Sequence, residues 1–272
     1  MAVPVQSYII SCTPRSGSHL LADMLQSTNI AGCPDERFPR YPAGTRLTAA
    51  DRDALVTQGM PDSSFDAKLD SEHVALVLER GTTANGVFAL NLHWFQLNDA
   101  VRRIGLYLQT NDNSPHKILS SAFPGLSYIW LRRRDKVAQA VSWYKAILTG
   151  QYVKLHGDEK PRSENLQFDF HKIKEYWTAL RSFDNGWDYY FKSNNLQPLV
   201  LYYEDVAADP GAAAKIVLDY LKLESGGIVF PPPRHAKAAD RISDEWIKTF
   251  KDMQAANRGG AERSRTVGAR QQ

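Results

Sequence analysis

The sequence predicts an α/β fold, because short apolar strand candidates alternate along the chain with amphipathic helix patterns. Strand character is clear at residues 8–12, 128–131 and 199–203, and a further candidate at 86–94 begins at an Asn-Gly turn. A helical pattern follows each of these runs. Such alternation is typical of an open sheet with helices packed on its faces.

Length and composition favour one domain with a substantial core. The chain has 272 residues, 43% of them hydrophobic, and no linker rich in Pro, Gly or Ser divides it. We therefore expect a single domain at residues 1–260 and a disordered tail at 261–272. A formal charge of +3 suits a small polyanionic ligand better than a nucleic acid, which we do not expect as a partner.

The cysteines and the amino terminus bear on the cellular compartment. Cys12 and Cys33 have no metal-ligand spacing, so we expect a reduced protein without a metal site. The first six residues lack the charged region and apolar core of a signal peptide, and no run of about 18 apolar residues occurs. These features predict a cytoplasmic protein without a membrane span.

The turn after the first strand candidate has the character of an anion site. Pro14-Arg-Ser-Gly-Ser18 joins that strand to a helix pattern, and such a turn directs backbone N–H groups and a helix dipole towards one point. Arg15 and the hydroxyls of Ser16 and Ser18 add further donors. The turn matches neither the Walker pattern nor the dinucleotide-binding pattern. It favours a phosphate or sulfate site over an ordinary corner of the fold.

A second basic turn follows the strand candidate at residues 128–131. Three arginines, residues 132–134, begin where that strand ends, and Asp135 is a suitable N-cap for the next helix. Ser142 lies about two turns into this helix. Arginine forks and a serine hydroxyl can bind a second phosphate, although a solvated arginine cluster is the alternative. The expected apolar stripe of the helix is Val137, Val141, Tyr144 and Leu148.

Other segments are less informative by themselves. Three prolines break the loop at residues 30–42, and Glu36 lies in it, where it could simply pair with Arg37 or Arg40. His93 is expected to be a packed or hydrogen-bonded strand residue rather than a catalyst. We also expect polar helices at residues 43–85, an aromatic helix at 165–194 that forms core or dimer surface, and a basic loop at 234–241 that could close over a nucleotide.

Taken together, these features resemble the sulfotransferases, and most closely the bacterial trehalose 2-sulfotransferase family, whose relatives sulfate carbohydrates and glycolipids. The resemblance covers residues 7–253 and is more specific than any single motif. It depends on Pro14–Ser18 after a strand, on Arg133 at a strand end with Ser142 on the next helix, on Tyr202–Asp205, and on the basic loop before Ser243–Trp246.

The resemblance implies a single α/β domain with a central parallel sheet flanked by helices, in the P-loop-like sulfotransferase architecture. It also implies a homodimer and 3′-phosphoadenosine 5′-phosphosulfate as the donor, without a metal. By position, the residues for the 5′-phosphosulfate are Arg15, Ser16, Gly17, Ser18 and His19. Those for the 3′-phosphate are Arg133 and Ser142, with Lys237 and Arg241 over the nucleotide.

The resemblance also assigns the reacting groups. Glu36 matches the position of the general base, which takes the proton of a sugar hydroxyl. Arg15 and His19 would act with it in catalysis, because sulfuryl transfer, like phosphoryl transfer, depends on positioning and charge stabilisation. Cys33, Glu36 and Phe38 are the expected acceptor-binding residues.

Several positions depart from the family pattern. His19 stands where threonine is usual, Cys33 where a second carboxylate is expected, and Asn91 where a lysine is expected. Arg37 replaces one member of an aromatic pair that keeps Phe38. The donor site is therefore better supported than the acceptor site. The alternatives are a sulfotransferase for a phenol or lipid alcohol, a nucleotide-binding module without transfer activity and, more distantly, a P-loop kinase.

Overall fold

The computed structural model describes residues 4–38, 67–157, 166–235 and 239–268. The chain divides into two compact units, and each unit combines two separated stretches of sequence. The first unit comprises residues 1–132 and 183–234, and the second unit comprises residues 133–182 and 235–272.

A four-stranded parallel sheet forms the centre of the first unit. The strands are β1 (Gln6–Cys12), β2 (Val87–His93), β3 (Leu126–Arg132) and β4 (Leu199–Tyr202), in the spatial order β2-β1-β3-β4. Every pairing is parallel, so the carboxyl ends of all four strands lie at the same edge. The structure thus confirms the α/β fold with a parallel sheet.

Helices follow each strand, as the sequence predicts. They are α1 (Ser18–Gln26), α2 (Ala67–Gly81), α3 (Leu97–Leu108), α4 (Pro115–Ala122), α5 (Lys136–Thr149), α6 (Phe170–Ser193), α7 (Tyr203–Ala208), α8 (Pro210–Tyr220) and α9 (Arg241–Gly268). A short 3₁₀ turn, Trp94–Gln96, separates β2 from α3. None of the helices in the described part of the chain is long and apolar enough to cross a membrane.

Alternation along β1 divides the core of the first unit into two clusters, because successive strand side chains point to opposite faces. Tyr8 and Ile10 pack in one cluster with residues of α1 and α8. Ile9 packs in the other with residues of α2, α3 and α4 and with Trp187 of α6. Both faces of the sheet are therefore covered, as a buried parallel sheet requires.

The second unit has its own core, formed by α5, the first half of α6 and α9. Val137, Val141 and Tyr144 of α5 pack with Trp246 and Phe250 of α9. Beside this core, the Lys145 ammonium donates hydrogen bonds to Asp240 Oδ1 at 2.5 Å and to Ser243 Oγ at 2.8 Å.

Local details of the helices confirm some expectations and correct others. Asp135 caps α5, because its carboxylate accepts the Ala138 N–H at 2.9 Å. Leu148 does not belong to the buried stripe of α5, since it is 43% exposed in the last turn before Gly150 ends the helix. The last helix, α9, extends to Gly268, and the division into a domain at residues 1–260 and a disordered tail at 261–272 stays a prediction.

Candidate active site

The turn after β1 has an unusual backbone. Arg15 and Gly17 have φ angles of 63° and 86°, and the Ser16 N–H donates to the Thr13 carbonyl at 3.2 Å. Left-handed residues within a turn bring successive backbone N–H groups round an anion-sized concavity. Gly17 is also required sterically, because a Cβ atom there would collide with the Tyr203 ring.

The same turn presents one side-chain donor that the described protein atoms do not use. The side chain of Gly17 is a hydrogen atom, so no side chain caps the start of α1, and the first N–H groups of a helix have no intrahelical acceptor. The Ser16 hydroxyl is fully buried and bonds to no atom of the described residues. A buried hydroxyl without a partner is costly, and a phosphate or sulfate oxygen would satisfy it. The turn therefore fits an anionic ligand.

Glu36 is brought to the sheet by its backbone. The Asn91 N–H of β2 donates to the Asp35 carbonyl at 3.0 Å, and Glu36 and Asn91 form an isolated parallel bridge. The segment before residue 38 thus runs alongside β2 near the carboxyl edge of the sheet. Glu36 does not pair with Arg37, whose guanidinium lies 3.8 Å from Asp35, and Arg40 lies outside the described residues.

Two histidines contact the same oxygen of Glu36. Oε1 lies 2.7 Å from His93 Nε2 and 3.3 Å from His19 Nε2. The other carboxylate oxygen, Oε2, has no hydrogen bond to a described residue, and the side chain is 28% exposed. Glu36 can therefore accept a proton through Oε2 while Oε1 is held.

The pKa shifts of this group follow from its partners. Burial acts to raise the pKa of Glu36, but the charge of His93 and the hydrogen bonds from His19 and His93 outweigh it and hold that pKa well below its usual range. Burial acts to lower the pKa of His93, yet Cys12 and Glu36 together hold it well above its usual value. Glu36 is consequently ionised at neutral pH.

His93 was expected to be packed or hydrogen-bonded, and it is both. Its Nδ1 lies 3.2 Å from the Cys12 sulfur, and its ring stacks on Phe95 with the centroids 5.3 Å apart. Its contact with Glu36 was not predicted. The available signal was its position as the last residue of β2, where polar side chains at the carboxyl edge of a parallel sheet meet ligands.

The residues expected to bind the acceptor differ in accessibility. Cys33 is half-buried, and its N–H donates to the Gly81 carbonyl at 3.0 Å. Phe38 is fully buried in the core and packs edge-on against His73, so it offers no open surface to a ligand in this structure. Asn91, which replaces the expected lysine, is buried, and its Oδ1 accepts the Cys12 thiol at 3.1 Å.

The remaining predicted donor residues lie in the second unit. Arg133 directly follows β3, and Ser142 lies midway along α5. Arg241 begins α9 with its side chain 89% exposed, 3.5 Å from Glu245, and Lys237 lies outside the described residues. Their roles stay predictions. Within the described ranges, no group of three or more His, Cys, Asp or Glu side chains is arranged to hold a metal ion.

Two further contacts near the carboxyl edge of the sheet were not predicted. The buried Asp23 of α1 accepts hydrogen bonds from the Arg234 backbone N–H at 3.1 Å and from its Nε at 2.5 Å. This contact fixes the first residue of the basic loop at 234–241. Arg132, the first of the three arginines, lies over the Trp130 ring at 4.1 Å and within 3.6 Å of Asp184, so it has structural partners.

The sequence is similar over almost its whole length to known sulfotransferases. The sequence model of the Stf0 sulphotransferase family matches residues 7–253. The trehalose 2-sulfotransferase of Mycobacterium tuberculosis is 27% identical over 268 residues, which is 92% of this chain and 96% of that protein. The trehalose 2-sulfotransferase of Mycolicibacterium smegmatis is 27% identical over 265 residues, or 90% and 94% of the two chains.

Two solved structures align over most of the chain. A sulfotransferase from Alicyclobacillus acidocaldarius has a TM-score of 0.47 and 13% identity, with 92% of both chains covered. The sulfotransferase domain of the Synechococcus PCC 7002 olefin synthase has a TM-score of 0.47 and 16% identity, with 90% of this chain and 88% of that domain covered.

Proposed function

Since the chain belongs to the Stf0 sulphotransferase family, we propose that it moves a sulfuryl group from 3′-phosphoadenosine 5′-phosphosulfate to a hydroxyl of a carbohydrate or glycolipid, with Glu36 as the general base. A sugar acceptor is supported by the two trehalose 2-sulfotransferases to which the chain is similar over almost its whole length. The departures at Cys33 and Arg37 are reasons not to assume trehalose itself.

One observation carries the proposal. His19 lies in the first turn of α1, directly after the anion-binding turn, and its Nε2 is 3.3 Å from Glu36. The proposed phosphate site and the proposed base are thus separated by a single side chain. Transfer between two bound groups requires this proximity, because the reacting atoms must be held close together and in line.

Two sets of residues would bind the two phosphate groups of the donor. When bound, the donor supplies a sulfuryl group whose bond to a phosphate oxygen breaks, and that oxygen keeps the electron pair. Arg15, Ser16 and the turn amides would bind the 5′-phosphosulfate and offset the charge on the leaving phosphate. Arg133 and Ser142 would bind the 3′-phosphate.

The acceptor side depends on Glu36. As the acceptor oxygen bonds to sulfur, its proton would pass to Oε2 of Glu36. This oxygen has no hydrogen bond to a described residue. His19 would stay within reach of both the carboxylate and the phosphosulfate. Lys237 and Arg241 would add positive charge near the nucleotide.

Binding of the product nucleotide tests the donor site. We expect titration calorimetry with 3′-phosphoadenosine 5′-phosphate, without added metal, to give micromolar affinity for the wild type. Ser16→Ala should weaken binding about tenfold and Arg133→Ala by about 30-fold, as for the loss of a hydrogen bond to a charged group. Ser27→Ala is the matched control, because Ser27 Oγ bonds to the Met24 carbonyl at the far end of α1. Absence of binding to the wild type would refute the donor assignment.

Transfer from labelled donor tests the reaction and the acceptor. The acceptor panel should include trehalose, other sugars, glycolipids, a phenol and a lipid alcohol, with Glu36→Gln as the inactive control. Loss of the base should lower kcat by a factor of about 10² to 10⁴. Sulfation of the phenol or lipid alcohol alone would move the acceptor to another class, and nucleotide binding without transfer to any acceptor would favour a binding module.

A further inference from the structure

The surroundings of His93 fix its imidazole on three sides. The side chain is 6% exposed, its ring stacks on Phe95, and its two nitrogens face Glu36 Oε1 and the Cys12 sulfur. β1 and β2 impose this arrangement, because Cys12 and His93 are directly opposite each other in the parallel register. The histidine therefore has one orientation, which the sheet determines.

The hydrogen bonds restrict where the protons can lie. The Cys12 thiol has two acceptors besides His93, which are Asn91 Oδ1 at 3.1 Å and the Leu92 carbonyl at 3.7 Å. When the thiol proton is donated to either of them, the sulfur faces His93 Nδ1 with a lone pair, and a bond between the two requires a proton on Nδ1. A second proton on Nε2 is then donated to Glu36. This doubly protonated imidazolium is the state that Cys12 and Glu36 favour, because together they hold the pKa of His93 well above its usual value.

We propose that His93 is a positioning residue for sulfuryl transfer, which as an imidazolium between Cys12 and Glu36 fixes Oε1 of the carboxylate and leaves Oε2 to receive the acceptor proton. This inference rests on the proposed role of Glu36 as the base. It also extends the hydrogen-bonded chain beyond the base, because Cys12 contacts His93 Nδ1 and Asn91 in turn accepts the Cys12 thiol.

The other ionisable groups at this point are few. His19 approaches Oε1 from α1, and Asp35 accepts the Glu36 backbone N–H at 2.8 Å. Arg37 lies 3.8 Å from Asp35 and partly offsets its charge. With His93 charged, Glu36 is a weaker base than a free carboxylate, but it stays ionised in mildly acidic solution and has a fixed orientation. The lowered basicity of Glu36 and its ionisation in mildly acidic solution both depend on the charge of His93.

The pH dependence of kcat in two variants distinguishes the effect of the His93 charge from the effect of its packing. His93→Gln keeps a hydrogen-bond donor but loses the charge, so the acidic limb of the kcat profile should move up towards the ordinary pKa of a glutamate carboxyl, about 4.3. His93→Ala loses both and should lower kcat at pH 7 by about 10- to 100-fold, with glutamine restoring part of the loss. KM for the donor should stay within about twofold in both variants.

His116→Gln is the matched control, because His116 hydrogen-bonds to the Tyr128 hydroxyl at 3.2 Å and does not contact Glu36. Its pH profile should equal that of the wild type. A His93→Gln enzyme with an unchanged acidic limb would overturn the proposal, as would an equal shift in His116→Gln.

Nuclear magnetic resonance gives a readout that needs no acceptor. With ¹⁵N-labelled histidine, both nitrogens of His93 should be protonated at pH 7 in the unaltered chain bound to 3′-phosphoadenosine 5′-phosphate. With ¹³C-labelled glutamate, the Glu36 carboxyl should titrate at higher pH in His93→Gln than in the wild type. A neutral His93 at pH 7 would overturn the proposal even if no variant folds. Absence of transfer by the wild type would instead refute the proposed function.

Discussion

At the scale of single residues, Glu36 and His93 form an ion pair in which the pKa of the carboxyl is lowered and the pKa of the imidazole is raised. Burial acts to raise the pKa of Glu36, but His93 and His19 outweigh it, so the pKa is low. Burial acts to lower the pKa of His93, but Cys12 and Glu36 outweigh it, so the pKa is high. Each group therefore binds protons differently in the folded and unfolded chain. Such differences make the free energy of unfolding depend on pH.

We expect two pH ranges of lower stability from this pair. Above about pH 6.5, unfolded His93 is neutral. Folded His93 keeps its proton, so the free energy of unfolding falls as pH rises through the raised pKa. Below about pH 4.3, unfolded Glu36 binds a proton that the folded residue does not, so stability falls again. Urea unfolding at a series of pH values measures both slopes, and His93→Gln should reduce them. Equal slopes in the variant and wild type would contradict the assignment.

Gly17 gives a second prediction at this scale. Gly17→Ala should destabilise the protein by about 2 kcal/mol or more and weaken nucleotide binding, because the new Cβ meets Tyr203 and φ is positive. Gly227→Ala is the matched control: its φ is 79°, but no atom lies within 4 Å of the new Cβ. The control should lose only about 1 kcal/mol and bind normally, as measured by chemical unfolding and calorimetry. Equal losses would show that backbone strain alone accounts for the effect.

At the scale of elements, the second half of α6 supports the end of β1. The Trp187 indole N–H donates to the carbonyl of Cys12, the last residue of β1, at 2.9 Å, and the turn Pro14–Ser18 follows after Thr13. Trp187 also packs edge-on against Trp94, with the ring centroids 5.3 Å apart. The helix therefore holds both the carboxyl end of β1 and the 3₁₀ turn that follows β2.

The close approach of α6 depends on a glycine. Gly186→Ala should destabilise the protein by about 1–3 kcal/mol, because the added methyl group would collide with the Trp94 ring. Gly211→Ala in α8 is the control, since its nearest contact would be Phe230 at 3.4 Å, an ordinary separation. Thermal unfolding of the two variants measures the difference. A stable Gly186→Ala protein would mean that Trp94 can move aside.

Much of the element order followed from the sequence, but the pairing of elements did not. Strand and helix patterns are local, so the candidates at 8–12, 86–94, 128–131 and 199–203 correspond to the four strands. The order β2-β1-β3-β4 depends on contacts between distant segments. The helical periodicity also predicted that Leu148 belongs to the buried stripe of α5. Periodicity identifies one face of a helix but does not show where along the helix the neighbouring elements stop covering that face.

The site was predictable to a similar extent. The turn Pro14–Ser18, proposed to bind an anion, has a local signature in the sequence, and Glu36 was proposed as the base through the resemblance to a family. The pairing of Glu36 with His93 joins residues 57 positions apart and depends on strand register, which sequence patterns do not fix. Phe38 is fully buried in the core, and its expected role at the acceptor stays a prediction.

At the scale of the whole molecule, each unit combines two distant stretches of sequence. The core of the second unit brings residues of α5 together with Trp246, which packs on Tyr144 with the ring centroids 5.7 Å apart. The carboxyl-terminal helix is thus a structural part of this unit. Homodimerisation and a cytoplasmic location stay predictions.

Removal of Trp246 should therefore loosen the second unit. Trp246→Ala should cost about 3–5 kcal/mol and increase amide hydrogen exchange in peptides of α5, because a large buried ring is lost from the core. Met253→Ala on the same helix is the control, since Met253 is 41% exposed. Mass spectrometry of exchange measures both. Unchanged exchange in α5 would show that α9 contributes little to this core.

The backbone bridge between Glu36 and Asn91 has an evolutionary consequence. The main chain sets where the Glu36 backbone lies beside β2, and His93 orients the carboxylate of this proposed base. Substitutions at nearby positions such as Cys33 and Arg37 can then accumulate without displacing Glu36. A lineage with this architecture could change the molecule it modifies by a few side-chain replacements while it inherits the reaction chemistry unaltered.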